Sequence, residues 1–417
     1  MPLTRKILLD SADRMQRLPV PGDADMERIA RRLTRLGVEI IDLSDLRSWV
    51  PDLPTGRGGA PDPDAWKPAT TAEMGKAKEL ISNWYSERFG VSLNPETEID
   101  ITPTVQSAVL MIALAYIDVG DVTLIPDPGP TFYRAAAVLA GGGVIPYHLY
   151  ERNDYLPNFE GLQEGLMGRS RLMVLSYPHN PTSAVADLST LTQAVVFARR
   201  NNILITYDST LALAERGPIR PRSFLEASGA RNVGVEVFAP GILLGDPSLC
   251  PSVVAGNREV VASASFLQRT CGVAYTRASI QKLTEVLVGA AGICAERLRR
   301  LDEARHILVE AFTGIGGSPR SSPTVPFLWA SIPSAVGAEG YCRRVLRRTG
   351  IRLAPGTAFG ERGEGYIRAA IPDNPDVARA VAERLIQHAR LNQRRLPRAR
   401  VMGRKRPGGK ANPPTDE

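Results

Sequence analysis

The feature of this sequence that most constrains its fold is a regular alternation of short apolar runs with helix-length segments, beginning near residue 104. The runs predict strands, and the longer segments, whose apolar residues recur at helical spacing, predict helices. Predicted strands cover residues 122–125, 172–176 and 203–207, and predicted helices cover 104–117, 131–140 and 188–200. Strands that alternate with helices of this length pair in parallel. We therefore expect an α/β fold whose central sheet is mostly parallel and covered on both faces.

A chain of 417 residues is long enough to contain more than one domain. A long helical stretch, residues 275–312, separates the alternating region from a mixed strand and helix pattern over 323–391, and two further apolar runs cover 241–244 and 252–255. We predict four parts. They are an N-terminal segment and connector belonging to a small domain (1–68), a large domain (69–312), a C-terminal small α+β domain (313–392) and a basic disordered tail (393–417).

The net charge of +7 does not indicate a nucleic-acid-binding surface, because most of it lies at the end of the chain. From Arg394 onward eight basic residues stand against Asp416 and Glu417, so the tail carries +6 and only +1 remains for the body. The tail has almost no large apolar residues and cannot offset its ordering entropy, which predicts disorder. A polyanion-binding arm is the alternative for the tail, and nucleic acid is not an expected partner of the body.

Cysteine and histidine spacing does not indicate a metal site or a disulfide framework. The chain has four of each, widely scattered, and no CxxC pair. The first residues lack the apolar core of a signal peptide, and no run approaches the about 18 apolar residues of a membrane span. We therefore expect a cytoplasmic protein with neither a metal nor a membrane partner.

Four segments follow one another along the chain: PDPGPTFYRAAAVLAGG, LSYPHNPTSAVAD, ITYDSTLA and PGTAFGERGEGYIRAAI. In this order and at this spacing they resemble the class I/II aminotransferases, enzymes of fold type I that depend on pyridoxal phosphate (PLP). The resemblance extends over about residues 30–390. It implies that residues 69–312 form a PLP-transferase-like large domain, that PLP is the cofactor, and that the protein is a dimer with its site at the subunit interface.

Three residues match positions to which the family gives a role. Asn180, in HNPT, matches the asparagine that donates a hydrogen bond to the phenolic oxygen of the cofactor. Asp208, at the end of ILITYD, matches the aspartate that pairs with the pyridine nitrogen and keeps the ring an electron sink. Arg368, in GYIRAAI, matches the arginine that holds the α-carboxylate of the substrate in a bidentate fork, beside Asn180. The resemblance thus implies an amino-acid or keto-acid ligand.

The lysine that anchors PLP in the family is missing, since no lysine occurs between Lys78 and Lys282. Counting back without gaps from AGNREVV, which resembles a conserved family segment of the VGN type, places the Schiff-base position at Ile242. The arginine that holds the cofactor phosphate, eight residues later, falls at Cys250. Lys282, in RASIQKL, matches a different, helical part of the family, so we assign no catalytic lysine. Loss of its proton-shuttling role alone predicts a reaction about 10²–10⁴-fold slower.

The turn that cradles the cofactor phosphate in the family is also altered. The family has a small Gly-Ser or Gly-Ala pair where this chain has Thr104, Val105 and Gln106. These three residues are the candidates for phosphate contacts, because a helix N-terminus offers backbone N–H groups and a favourable dipole. The hydroxyl of Thr104 could donate to the phosphate or cap the helix, and the sequence leaves both roles open.

Two aromatic contacts of the family are replaced as well. The ring-stacking aromatic falls at Pro130, with Phe132 and Tyr133 the nearest aromatic residues after it. The tyrosine expected three residues beyond the strand-end aspartate is Leu211. Because the cofactor contacts are lost together while Arg368 is kept, the pattern indicates a site whose covalent PLP anchor has been removed.

Two hypotheses follow. In the first, the protein is a degenerate aminotransferase homologue that binds a carboxylate and forms a homodimer, or a heterodimer with an active homologue. In the second, it is an enzyme of altered chemistry in amino-acid or specialised metabolism, which uses PLP non-covalently or not at all, with His179 or Tyr177 moving protons. A regulator linked to nucleic acid is not favoured, since no helix-turn-helix segment precedes the domain and the body is nearly neutral.

Overall fold

A seven-stranded sheet forms the centre of the protein in a computed structural model. The structure describes residues 10–19, 24–45, 63–162, 168–213, 220–244, 246, 248–333 and 336–395. The α-helices of these ranges are α1 (Asp13–Arg17), α2 (Ala24–Arg35), α3 (Thr71–Phe89), α4 (Val105–Tyr116), α5 (Thr131–Leu139), α6 (Leu188–Asn201), α7 (Arg258–Thr270), α8 (Arg277–Gly314), α9 (Gly337–Thr349) and α10 (Pro375–Arg395).

The strands of the same ranges fall into three sheets. They are β1 (Ile41–Asp42), β2 (Ile99–Thr102), β3 (Val122–Asp127), β4 (Gly143–His148), β5 (Ser170–Ser176), β6 (Leu204–Asp208), β7 (Gly234–Phe238), β8 (Ser252–Gly256), β9 (Pro319–Arg320), β10 (Phe327–Ser331), β11 (Ile351–Arg352), β12 (Ala354–Pro355) and β13 (Tyr366–Ala370).

The central sheet has the order β2-β8-β7-β6-β5-β3-β4. Every pair is parallel except the two that β8 makes, with β2 and with β7. The predicted α/β fold with a mostly parallel sheet is therefore confirmed. Ser176 in β5 is in register with Asp208 in β6, which is in register with Val237 in β7. The carboxyl ends of these three strands consequently meet at one edge of the sheet.

Two apolar layers cover this sheet. On one face α3, α6 and α8 contribute to a core cluster that includes Ile81, Leu191 and Leu283. On the other face α4, α5 and α7 contribute to a second cluster, which includes Ile112 and Val260. Removing apolar side chains from water on both faces is the main source of stability of such a sheet.

The N-terminal residues pack with the C-terminal part of the chain. β1 pairs in parallel with β11, and Leu43 lies in a third core cluster with residues of α8, α9 and α10. In the C-terminal sheet, of order β12-β13-β10-β9, β13 is a central strand. β13 carries Arg368 opposite Trp329 of β10. The division of the chain into domains stays a prediction, although this packing agrees with its assignment of the N-terminal segment to the small domain.

The elements differ from the predicted ones in several places. The apolar run 241–244 belongs to a 3₁₀ helix, Pro240–Leu244, whereas 252–255 lies in β8. β7 was not predicted, because Glu236 interrupts its apolar pattern although the strand is buried throughout. Helix α10 continues to Arg395, so the first three residues of the predicted tail are helical. Residues 396–417 of that tail, and 46–62 of the connector, lie outside the described residues.

Candidate functional site

A cavity of about 630 Å³ lies at the carboxyl edge of the central sheet and is closed on one side by β13 of the C-terminal sheet. Ligands of α/β proteins bind at this edge, beyond the ends of the parallel strands. The structure brings together at this cavity all the residues predicted for the site, with two of the replaced positions: Thr104, Val105, Gln106, Asn180, Asp208, Ile242 and Arg368, with Pro130 and Leu211.

Asp208 is held rigidly at the end of β6. Its Oδ2 accepts a hydrogen bond from the Tyr133 hydroxyl at 2.8 Å, and its Oδ1 accepts one from the backbone N–H of Thr210 at 3.0 Å. Burial raises the pKa of Asp208, and the hydrogen bonds from Thr210 and Tyr133 oppose that rise. The carboxyl group is thus oriented by two donors and faces a cavity that a ligand can enter.

The aromatic residues after Pro130 have separate roles. Tyr133 is fully buried in α5 and holds Asp208, so it does not line the cavity. Phe132 does line the cavity, and its ring stands edge-on to that of Tyr133 with centroids 4.3 Å apart. An aromatic wall is therefore present, supplied two residues after Pro130.

Arg368 and Asn180 form a joined pair on the opposite side of the cavity. Nη1 of Arg368 donates to Oδ1 of Asn180 at 3.0 Å, and Nη2 donates to the backbone oxygen of Ser44 at 2.8 Å. The guanidinium lies over the ring of Phe359, 4.7 Å from its centroid. These contacts fix the plane of the guanidinium, which is the requirement for bidentate recognition of a carboxylate.

Arg368 is 7% exposed, and its Nε has no hydrogen-bond partner among the described residues. Burial lowers the pKa of Arg368 to about 10, and the charge of Asp45 opposes this. The side chain therefore remains a cation at neutral pH. A buried guanidinium that lines a cavity is suited to an incoming anion.

Ile242 also lines the cavity. Its side chain packs against an apolar cluster of Leu211, Val325 and Phe327. The 3₁₀ helix that carries Ile242 is fixed from behind by Arg297, which donates from Nη1 to the backbone oxygen of Leu243 at 3.2 Å. The position counted for the anchoring lysine therefore faces the cavity, and an aliphatic side chain occupies it.

Cys250 does not line the cavity and is 4% exposed. Burial raises the pKa of its thiol to about 12, although the charge of Lys282 acts in the opposite direction. A buried neutral thiol cannot supply the charge-assisted hydrogen bonds that an arginine gives to a phosphate.

The N-terminus of α4 borders the cavity with Thr104, Val105 and Gln106. The hydroxyl of Thr104 accepts from the backbone N–H of Ser107 at 3.0 Å, and the Ser107 hydroxyl accepts from the backbone N–H of Thr104 at 2.9 Å. This reciprocal capping box shows that the hydroxyl of Thr104 caps the helix in the structure, and its contact with a phosphate stays a prediction.

His179 and Tyr177 support the turn that carries Asn180 and do not line the cavity. Nδ1 of His179 lies 2.8 Å from the Thr182 hydroxyl, and the hydroxyl of Tyr177 donates to the backbone oxygen of Tyr155 at 2.8 Å. Complete burial lowers the pKa of His179 to about 3. Neither side chain is therefore placed to move a proton in the cavity.

Lys78 and Lys282, between which the sequence has no lysine, do not line the cavity either. Lys78 forms an ion pair with Asp100 at 2.8 Å, beside β2. Lys282 lies on α8, 41% exposed, with its ammonium 3.7 Å from Glu285. Among the residues that the structure describes at this cavity, none is a lysine.

The residues present fit only part of pyridoxal phosphate. Asp208, Asn180 and Phe132 provide contacts suited to a pyridine ring. The anchoring position is Ile242, and the phosphate position, Cys250, lies outside the cavity. The described lining instead adds two carboxylates, Asp45 and Asp246. The site therefore does not fit the covalently anchored phosphate cofactor.

Several residues at or beside the cavity were not identified from the sequence. Ser44 and Asp45 approach Arg368 from the N-terminal segment, and only the three-dimensional fold shows that contact. Asp246 follows Ile242 in the same segment. Ser252 is a polar residue at the start of an otherwise apolar strand. That polar position in an apolar run was the sequence signal that could have identified Ser252.

Comparison with known proteins shows similarity to aminotransferases over most of the chain. The family model described as aminotransferase class I and II matches residues 69–385. The chain is 29% identical to an LL-diaminopimelate aminotransferase of Syntrophobacter fumaroxidans over 90% of this chain and 97% of that protein. It is 28% identical to an LL-diaminopimelate aminotransferase of Moorella thermoacetica over 90% of this chain and 98% of that protein.

Solved structures show the same fold. BacF from Bacillus subtilis superposes with a TM-score of 0.81 at 23% identity, covering 92% of this chain and 98% of that one. A probable N-succinyldiaminopimelate aminotransferase from Thermus thermophilus superposes with a TM-score of 0.76 at 25% identity, covering 87% and 98%. The helices described here include none that could span a membrane, and no candidate metal-binding cluster occurs in the described parts of the chain.

Proposed function

Since the chain belongs to the class I and II aminotransferase family, we propose that it binds the carboxylate of an amino acid or keto acid at Arg368 without anchoring PLP covalently. In this proposal the protein is a degenerate homologue, and ordinary transamination is not its activity. Members of the family bind amino- and keto-acid substrates and are usually dimers. We extend the proposal to a homodimer, with a heterodimer containing an active homologue as its alternative.

The observation that carries the proposal is the position of Ile242. Its side chain lines the same cavity as Asp208 and Arg368, where an anchoring lysine would have to reach. It packs against apolar residues, including Leu211, so the wall is adapted to an aliphatic group. The carboxylate side, with Arg368 joined to Asn180, keeps the geometry that binding requires.

The relatives that share most of this chain's length are named LL-diaminopimelate aminotransferases. We use that name to choose the ligands for a first test, which are LL-diaminopimelate and the simpler L-norleucine. Calorimetric titration of the purified protein is expected to detect binding. Arg368→Ala should weaken it at least tenfold, the size expected for loss of a charge-assisted hydrogen bond of about 2 kcal/mol.

Arg171→Ala is the matched control, because Arg171 is half exposed on β5 and pairs with Asp121 rather than with cavity residues. This variant should bind both ligands as the wild type does. Equal affinities for wild type and Arg368→Ala would contradict the role proposed for Arg368, whatever happens to PLP.

A second candidate function is an enzyme of altered chemistry that holds PLP non-covalently. The hydrogen bond between Tyr133 and Asp208 favours it, since a ring-binding aspartate is still positioned by a buried tyrosine. A visible absorption band that develops with PLP only after an amino acid is added, and that Asp208→Ala removes, would support this candidate. A spectrum equal to that of free PLP and amino acid would exclude it.

A further inference from the structure

The segment of residues 356–363, which connects β12 to β13, carries an aromatic ring to Arg368. The segment consists of two short 3₁₀ helices, and Phe359 ends the first of them. Phe359 lines the cavity of about 630 Å³ and also a second cavity of about 440 Å³, and Arg368 borders both. The ring of Phe359 lies 4.7 Å from the guanidinium carbon, closer than the ring of Phe327 at 5.4 Å. Phe327 lies on a strand of the C-terminal sheet, whereas the position of Phe359 depends on what holds the segment.

The carboxyl end of β3, in the central sheet, holds this segment through two hydrogen bonds. The backbone N–H of Gly129 donates to the backbone oxygen of Phe359 at 2.7 Å. Oδ1 of Asp127, the last residue of β3, accepts from the backbone N–H of Arg362 at 3.1 Å. Both bonds join the central sheet to the segment, one at Phe359 itself and the other three residues later.

The carboxyl group of Asp127 fits closely against the segment. Gly360 has a φ of +129°, and a Cβ atom placed on it would overlap Oδ1 of Asp127. Glycine therefore allows the backbone to approach the carboxyl group at this point. The other oxygen, Oδ2, lies 3.3 Å from Nδ1 of His148 at the end of β4, and Asp127 is 5% exposed. A buried carboxyl group with contacts on both oxygens has a fixed position.

We propose that Asp127 is a positioning residue for the carboxylate site, because it holds the 356–363 segment so that Phe359 stays packed beside Arg368. The inference rests on the proposed function, since the effect is expected on a carboxylate bound at Arg368. Asp127 does not line either cavity, so it acts only through the segment. A guanidinium that is oriented before the ligand arrives loses less freedom on binding, which increases the affinity.

Two substitutions of Asp127 test the proposal by calorimetry with L-norleucine and the purified full chain. Asp127→Ala removes the acceptor for the Arg362 N–H and should weaken binding about three- to tenfold. Asp127→Asn keeps an acceptor oxygen for that N–H and should bind within about twofold of the wild type. Equal affinities for the wild type and Asp127→Ala would overturn the inference, and so would an equal loss in both variants.

Asp121→Ala is the matched control. Asp121 immediately precedes β3, at the end of the strand away from the cavity, and its Oδ2 accepts from the backbone N–H of Asp118 at 3.0 Å. The variant loses a comparable hydrogen bond from the same strand and should bind L-norleucine as the wild type does. A loss as large as that in Asp127→Ala would mean that general destabilisation explains both, which would contradict a positioning role.

Hydrogen exchange followed by mass spectrometry tests the hold on the segment without a ligand. Peptides covering residues 356–363 should exchange faster in Asp127→Ala than in the wild type, and at the wild-type rate in Asp127→Asn and Asp121→Ala. An unchanged rate in Asp127→Ala would overturn the inference. Faster exchange with unchanged affinity would overturn the positioning role alone. If the wild type binds no amino acid, or Arg368→Ala binds as well as the wild type, the proposed function fails, and the exchange rates alone decide whether Asp127 holds the segment.

Discussion

Leu211 and Ile242 meet in one apolar cluster on the wall of the cavity. Both stand at positions where the resemblance to the aminotransferase family implies polar cofactor-binding side chains, a tyrosine and a lysine. Because the two replacements pack together, they form a continuous aliphatic surface. The replacement of the anchoring lysine is therefore part of a wider change of the cavity wall, in which Leu211 and Ile242 take part together.

Ile242→Lys should supply the missing reactive amine. Because position 242 lines the cavity, PLP added in excess and then reduced with borohydride should leave a pyridoxyl adduct at this position, in about stoichiometric yield. Peptide mass spectrometry locates the adduct. Val119→Lys, at a side chain that is 91% exposed, is the control for a surface lysine and should be modified only at the level of the other surface lysines. Modification confined to surface lysines in Ile242→Lys would show that position 242 does not face the site.

Tyr133→Phe should remove the hydrogen bond that holds Asp208. With one donor lost, burial raises the pKa of Asp208 further, and the free energy of unfolding at pH 7 should fall by about 1 kcal/mol. The deficit should shrink at acid pH, where Asp208 is protonated and needs the donor less. Urea denaturation at both pH values measures it, and Tyr150→Phe, outside the cavity, is the control. If Tyr133→Phe lowers the free energy of unfolding equally at both pH values, the hydrogen bond from Tyr133 does not stabilise the ionised form of Asp208.

His179 should make the protein sensitive to acid. Its pKa is lowered to about 3 in the folded state, against about 6.5 when unfolded. Its contribution to stability is complete above pH 6.5 and is lost as the pH falls toward 3, because only the unfolded chain binds the proton. His179→Gln should therefore lose about 2 kcal/mol less between pH 7 and pH 5 than the wild type does. Urea denaturation at the two pH values checks this, with His306→Gln, on an exposed helix face, as the control. If wild type and His179→Gln lose the same stability between pH 7 and pH 5, burial of His179 does not cause the sensitivity to acid.

Glu236 should be essential to the stability of the sheet behind Asp208. Its buried carboxyl accepts from the hydroxyls of Ser209 at 2.7 Å, Ser223 at 2.6 Å and Tyr85 at 3.2 Å, and from the backbone N–H of Phe224 at 2.9 Å. Glu236→Ala leaves these donors buried and unsatisfied, at a cost of about 3 kcal/mol. Glu236→Gln, whose one carbonyl oxygen can still accept two of the four hydrogen bonds, should cost less. Chemical denaturation ranks the two variants, and equal losses would mean that packing rather than hydrogen bonding matters.

Much of the fold could be predicted from sequence, because the apolar runs at β3, β5 and β6 are continuous and the helices between them have clear periodicity. β7 escaped detection because Glu236 looks like a surface residue in the sequence. Its burial depends on Ser209, Ser223 and Tyr85, which come from distant segments. Local pattern cannot show such a partnership.

The candidate site was predicted in part. Asn180 follows the end of β5, and Asp208 ends β6. Arg368 lies on a short strand of the C-terminal sheet. Motif and position therefore identify these three residues. The contact of Ser44 and Asp45 with Arg368, and the unpaired hydroxyl of Ser252, depend on how separate parts of the chain pack. These features of the cavity therefore required the structure.

The central claim is that no lysine of this protein anchors PLP. The most direct measurement is peptide mass spectrometry of the wild-type protein after incubation with PLP and reduction with borohydride. The account predicts no stoichiometric pyridoxyl adduct at any single lysine. A stoichiometric adduct at one lysine, Lys282 included, would contradict it.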